Sequence, residues 1–230
     1  MPRVIVRGRL QECGLEGGYL VHVAEGILTP GVAAGGWVLA AAGIGAGLRR
    51  LDPDAIPKVG VLSSTFFVAS LIQVPLGPAS AHLVLNGLMG VLLGWQVFPA
   101  LAVALILQAV FFGFGGLTSL GANVLIMGVP ALLARLVFAA GRPPVEARSA
   151  TLVRGGLAGA TGIVGGAALL SLFLAASGRE FAAAVAVIAA AHLPVAGVEA
   201  LVAGAVLSFL ARVRPELLPP ANLGDRSSQG

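Results

Sequence analysis

Cysteine is almost absent from this chain. The single Cys13 has no partner within the sequence, which excludes an intrachain disulfide and any CxxC metal or redox motif. Charge is scarce too: Asp, Glu, Lys and Arg make up 10% of residues, against about 25% in an ordinary soluble domain. No GxxxxGK[ST] phosphate loop and no HExxH helix occurs, so neither nucleotide hydrolysis nor zincin chemistry has its motif. Aromatic residues are few, at 6%, and histidine occurs three times, as His22, His82 and His192. The formal net charge of +4 would suggest nucleic acid only if the basic residues shared a face. They stand instead in short clusters between apolar runs, as in cytoplasmic loops of membrane proteins. No nucleic-acid partner is expected.

What is present is apolar sequence. Hydrophobic residues form 57% of the chain and the mean hydropathy is +0.97. Several runs approach the roughly 20 residues that a helix needs to cross a bilayer. The expected fold class is an all-α integral membrane protein with about seven transmembrane helices, at 31–48, 59–74, 80–94, 98–112, 120–140, 157–176 and 181–210, the last kinked at Pro194. Between them lie polar or glycine-rich connectors, among them a basic loop over 142–154. The glycines of 155–166 read as helix-packing residues, since no phosphate-loop context surrounds them. Arginine and lysine favour the connectors after the first, fifth and seventh segments. The positive-inside rule then puts the start of the first helix outside and the C-terminus in the cytoplasm, in a multi-pass protein of the inner (plasma) membrane.

Three regions are expected. Residues 1–20 carry Arg3, Arg7, Arg9, Glu12 and Glu16, lack a signal-peptide core and cannot span. They read either as a short peripheral tail or as an extension absent from the working protein, with Val21 as an alternative start read as methionine. Residues 21–214 form the transmembrane domain. Residues 215–230 read as a polar, frayed tail.

The stretch Val21-His22-Val23-Ala24-Glu25-Gly26 stands just ahead of the first apolar run. A histidine next to a chain start can combine the terminal amine, its own backbone nitrogen and its imidazole around one ion, a planar nitrogen set that suits Ni(II) or Cu(II). His82 lies in a second odd stretch, Gln73-Val74-Pro75-Leu76-Gly77-Pro78-Ala79-Ser80-Ala81-His82. Irregular backbone at membrane depth is tolerated only where protein buries it or it lines a cavity. The expected orientation puts both histidines on the outer face. A lone histidine is more commonly a satisfied core residue; two on one face, beside broken helix, favour a ligand reading.

These stretches resemble a known family. Val21 to Pro30 is similar to the MH(I/V)xEGxLxP start of the CbiM/NikM proteins, substrate-specific subunits of energy-coupling-factor (ECF) transporters for cobalt and nickel. Gln73 to His82 resembles their second signature. Gln108-Ala109, Gly115-Gly116-Leu117-Thr118 and Gly121-Ala122-Asn123 resemble the third, and His192-Leu193-Pro194 to Glu199 resembles the last helix. The likeness covers 21–214. It implies a metal bound by the amine of Val21 as first residue, the backbone nitrogen and imidazole of His22, and His82. Glu25, Gln73 and Asn123 would orient those ligands; the alternatives are a helix N-terminal acid at Glu25 and polar interhelical contacts for the other two. The resemblance assigns no metal role to His192, which reads as a packing or loop-gating residue; Glu199, deep in the last helix, is a candidate for assembly with a partner, its role left open. Two departures stand out: the family begins with methionine where this chain has Val21 preceded by twenty residues, and Ile126 replaces a common asparagine before Met127.

The implied function is a metal-binding, non-enzymatic subunit of an ATP-driven cobalt or nickel importer, with no cofactor of its own. The implied partners are an ECF ATPase subunit, an ECF transmembrane coupling (T) subunit, a small accessory membrane subunit and membrane lipid. An S-component for an organic micronutrient would want more aromatic and hydrogen-bonding residues than this chain offers. An intramembrane metalloenzyme would need a three-ligand zinc set with an open position.

Overall fold

The structure is a computed structural model that describes residues 23–71, 73–76, 79–140, 148–178 and 182–220; in 73–76, 79–82, 182–184 and at 187 the description is of the backbone. Helix dominates. The α-helices are α1 (Pro30–Leu48), α2 (Ile56–Leu71), α3 (Asn86–Leu93), α4 (Val97–Phe112), α5 (Leu120–Ala139), α6 (Arg148–Ser177) and α7 (Ala182–Val213). A two-stranded antiparallel hairpin, β1 (Gln73–Leu76) and β2 (Ala79–His82), sits between α2 and α3. By length and apolarity, five stretches can cross a membrane: Pro30–Leu48, Asn86–Phe112, Leu120–Ala139, Arg148–Ser177 and Ile188–Val213. The protein is a multi-pass membrane protein.

Side-chain contacts fix the direction of each helix. Ser63 Oγ donates to the Ala100 carbonyl at 2.8 Å, and Gln108 Nε2 donates to Ser70 Oγ at 2.7 Å, so α2 and α4 run parallel. Asn86 Nδ2 donates to the Met127 carbonyl at 3.3 Å and Arg135 Nη1 to the Val91 carbonyl, so α3 runs parallel to α5. Gly36 packs on Ala122, while Gly43 and Gly128 both pack on Phe98, which sets α1 parallel to α5 as well. Gly47 meets Trp95 and Pro99 at the beginning of α4, and the far end of α4 leads to Gly116 beside Glu25. α4 therefore runs back along α1. The stretch 86–112 is apolar throughout, yet the chain reverses within it at Gly94, whose φ of +58° a side chain would resist.

The structure revises several sequence expectations. The third segment, expected over 80–94, is a hairpin strand, a short extended link and only eight helical residues, Asn86–Leu93. These reach about 12 Å at 1.5 Å per residue, far less than the roughly 30 Å hydrocarbon core. All eight are buried, so this half-length helix lies inside protein, where irregular backbone is tolerated. Arg148 and Arg154, expected in a loop, stand on the first turns of α6. α7 holds Pro194 within it and ends at Val213, three residues beyond the expected end at 210. Past it, Pro215–Leu217 form a 3-10 turn, and Leu218 is buried against Leu207 and Phe138, so the first residues of the expected tail are packed.

Small residues let the helices approach, as expected for 155–166. A Cβ at Gly159 would stand 2.5 Å from the Glu199 carbonyl oxygen, and one at Gly162 2.5 Å from Asn86 Oδ1. Neither position leaves room for a larger residue.

Candidate metal centre

Two chain segments carry the expected ligands, and each is tied to the bundle by polar contacts. His22 and Val21 lie outside the described residues, but the next residue, Val23, is 2% exposed and packs with Ile126, Ala167, Leu170 and Ile188 from α5, α6 and α7. An extended residue buried among helices must satisfy its own N–H and C=O. Asn123, on α5 and 1% exposed, does both: its Oδ1 accepts from Val23 N at 2.8 Å, and its Nδ2 donates to the Val23 carbonyl at 3.1 Å. One amide side chain thus holds the backbone immediately after His22. Ser119 Oγ adds a bond to the Ala24 carbonyl at 2.9 Å.

Glu25 is spent on a neighbouring loop. Both its carboxylate oxygens stand within 3.3 Å of the Thr118 N–H, just before α5 begins at Leu120 with Ser119 as its N-cap. The carboxylate therefore stands near the N-terminus of α5, one residue ahead of its N-cap. The carboxylate also fills the space over Gly116. Glu25, Ser119 and Asn123 together fasten residues 23–25 to α5.

The second segment is the hairpin. Its register places Gln73 opposite His82 and Val74 opposite Ala81; directly opposed residues of an antiparallel pair stand about 4.5–5.5 Å apart at Cα. Gln73 and His82 are therefore cross-strand neighbours. Beyond β2 the backbone is anchored twice. Glu199, 0% exposed on α7, accepts at Oε1 from the N–H groups of Val84 and of Leu85, the latter at 2.9 Å. Leu85 has φ +53°, a left-handed conformation that a branched residue avoids. Asn86 then donates to the Met127 and Gly162 carbonyls at 3.3 and 3.2 Å. Glu199, whose role the sequence left open, is enclosed within its own bundle.

The two segments converge. Val84, Asn86 and His192 line a cavity of about 10 Å³ together with Ile126, Ala167 and Leu170, three side chains of the hydrophobic cluster that also contains Val23. Such a space holds at most about one water. His192 Nδ1 lies 2.7 Å from the Ile188 carbonyl one turn back, an internal bond that satisfies a buried histidine. A larger cleft, about 450 Å³, lies at the opposite end of the bundle. Arg50, stacked 4.9 Å over Trp95, and Arg135 line it, and two guanidinium groups repel a cation. Among the described residues no three His, Cys, Asp or Glu side chains meet.

Sequence reading missed Asn86 and the tie from Glu199 to 84–85. The signal for Asn86 was available: an asparagine opening an apolar run inside a membrane must find partners.

A multi-pass helical bundle with polar side chains reserved for fastening two irregular segments at one end defines an integral membrane protein built around a site at that end. Residues 22–217 match the family described as the cobalt uptake substrate-specific transmembrane region, and the chain belongs to that family, CbiM/NikM. It is 39% identical over 199 residues to a Haemophilus influenzae protein named for metal transport, covering 86% of this chain and 97% of the relative. It is 33% identical to the fused nickel transport protein NikMN of Rhodobacter capsulatus, covering 87% of this chain and 64% of that longer protein. The crystal structure of a truncated transition metal transporter shares the fold, with a TM-score of 0.70 at 24% identity over 84% of this chain and 99% of that one.

Proposed function

We propose that this protein is the metal-binding membrane subunit of an ECF-type, ATP-driven importer of cobalt or nickel ions. The observation that carries the reading is the convergence of the segments after His22 and after His82 on Ile126, Ala167 and Leu170. The proposed ligands are the amine of residue 21 in a chain beginning there, the backbone nitrogen and imidazole of His22, and the imidazole of His82. Four nitrogens of this kind accept Co(II) and Ni(II) alike, with Ni(II) slightly favoured by the binding order, and binding releases the protons of the amine and amide. Asn123 orients His22 through Val23, Glu25 steadies the same segment, and Gln73 supports His82 across the hairpin.

The ion enters from the extracytoplasmic face, across seven helical passes of alternating direction that include the half-length α3. Support for that orientation is the charge distribution: every described lysine and arginine (Arg49, Arg50, Lys58, Arg135, Arg148, Arg154, Arg212 and Arg214) lies toward the end opposite the site, as the positive-inside rule asks of the cytoplasmic end. An ATPase subunit and a T subunit supply and couple the energy, with a small accessory membrane subunit beside them. A relative in which NikM is fused to a further segment fits a multi-part transporter.

Calorimetric titration with Co(II) and Ni(II) tests the reading. A chain beginning Met-His-Val-Ala-Glu should bind the metal, and the 230-residue chain should bind far more weakly because an internal amide lacks the free lone pair of an amine. His82→Ala should cost more than the roughly 10–100-fold typical of losing a ligand's supporting partner, with His192→Ala close to the parent. Equal binding by the long and short chains would remove the amine from the ligand set, and indifference to His82→Ala would remove the hairpin.

A further inference from the structure

We infer that Glu199 is a positioning residue for the hairpin that carries His82, acting as a clamp from α7 on the backbone two and three residues beyond that histidine. The inference rests on the proposed metal site and names a residue that sets its geometry without touching the ion.

The first observation is where the carboxylate points. Glu199 is fully buried on a membrane-spanning helix, a costly place for a carboxyl group, yet it forms no ion pair among the described residues. Its Oε1 accepts from both the Val84 and Leu85 N–H groups, while Oε2 has no hydrogen-bond partner among the described residues. The second observation is what it holds. Leu85, at φ +53°, turns the chain from the extended link after β2 into the first turn of α3, which it caps. In an apolar interior the N–H groups of such a turn have no water to bond, and a carboxyl oxygen that accepts from two of them takes the place of that water. The third is how short the lever is. Val84 is bonded through Leu83 to His82, and β2 itself lies against α7. Below the clamp Asn86 is fixed to α5 and α6, so among the described side chains Glu199 ties the backbone just beyond His82 to the last helix.

The test uses the full protein and, in parallel, the chain beginning Met-His-Val, each in detergent, with Glu199→Gln, Glu199→Asp and Glu199→Ala. Glutamine keeps a carbonyl at the Oε1 position, at some cost in stability because its NH2 replaces the unpartnered Oε2. Aspartate keeps the carboxyl group but is one methylene short of the turn. Metal-free hydrogen exchange at Val84 and Leu85 reads the clamp directly, and Co(II) and Ni(II) titration reads its consequence. The expected result is faster exchange and an affinity loss of about 10–100-fold in Asp and Ala, with Gln close to the parent in both and the helical circular dichroism unchanged in all. Parent-like exchange in Asp or Ala, or a loss in Gln as large as in Ala, overturns the inference. Faster exchange without any change in affinity overturns the positioning role while leaving the clamp. A parent chain that binds no metal defeats the proposed function instead, and the exchange arm still decides whether Glu199 holds the turn. Should the Ala variant fail to fold, the Asp and Gln pair carries the comparison.

Discussion

At the scale of single residues, the bundle spends its few buried polar groups on backbone. Asn123 satisfies the N–H and the carbonyl of Val23, Glu199 two N–H groups, and Asn86 two helix carbonyls. Leaving a buried backbone group without a partner costs about 1–3 kcal/mol, so Asn123→Ala should destabilise the protein by at least that much. Because Val23 adjoins His22, the same change should weaken Co(II) or Ni(II) binding by about tenfold or more. Asn123→Asp keeps the acceptor for the Val23 N–H but sets a carboxylate oxygen against the Val23 carbonyl, and should fall at or below the alanine variant in thermal midpoint. Thermal unfolding and metal titration of the two variants decide the matter: lowered stability with parental affinity would make Asn123 a fold residue alone. His22, His82, Glu25 and Asn123 stand out in sequence as site candidates because polar residues are rare here, and of these the structure describes the side chains of Glu25 and Asn123. Glu199 was visible too, but its partners were not, since the groups it bonds are main-chain N–H groups that no side-chain pattern announces.

At the scale of elements, the departures from expectation collect around α3. Hydropathy reads 86–112 as one continuous apolar stretch, and the sequence shows a turn at Trp95-Gln96 without showing how little of the preceding segment is helix. The reason is physical: a helix enclosed on all sides by protein is as apolar as one facing lipid, so hydropathy cannot tell a half-length buried helix from a crossing. Burial on every face does have a consequence. Gly90, in the middle of α3, faces the carbonyl of Ala131, and a Cβ there would overlap the α5 backbone. Overpacking of a close-packed interior costs about 1–3 kcal/mol, occasionally more, and here the obstacle is backbone rather than a side chain that could swing aside. Gly90→Val should therefore push α3 off α5 and lower the thermal midpoint clearly. Gly60→Val should leave it near the parent, because nothing lies within 4 Å of a Cβ at Gly60. Comparable midpoints for the two variants would contradict the close α3–α5 contact. Length and composition did fix the major helices to within a few residues at most ends. The clear miss was the start of α6, where the charges of Arg148 and Arg154 suggested loop; a helix whose first turns emerge from the membrane tolerates them.

At the scale of the whole molecule, the bundle is polarised. Residues 23–29, the loop over 113–119 and the end of α6 meet at one end, where Thr29 N–H donates to Ser177 Oγ at 3.4 Å. The described basic residues gather at the other, with Lys58 Nζ reaching the Leu92 carbonyl at 3.1 Å and Gln96 Nε2 the Arg50 carbonyl at 2.9 Å. A bilayer with an anionic cytoplasmic leaflet attracts juxtamembrane lysines and arginines at about 1 kcal/mol each near the surface, so the charged end has a strong preference for the inside. If the charged end faces the cytoplasm, Ser177 and Gly178 face out, as the proposed import of metal requires. Cys13 is the sole native thiol; after its replacement by serine, one cysteine can be introduced at Gly178 and another, separately, at Arg148. In intact cells a membrane-impermeant maleimide should label the first and spare the second, with both labelled after permeabilisation. The reverse pattern would place the site on the cytoplasmic side, where it could receive metal only from within and could not serve import. Labelling of both positions in intact cells would mean that the two ends of α6 share one side, contradicting α6 as a crossing helix.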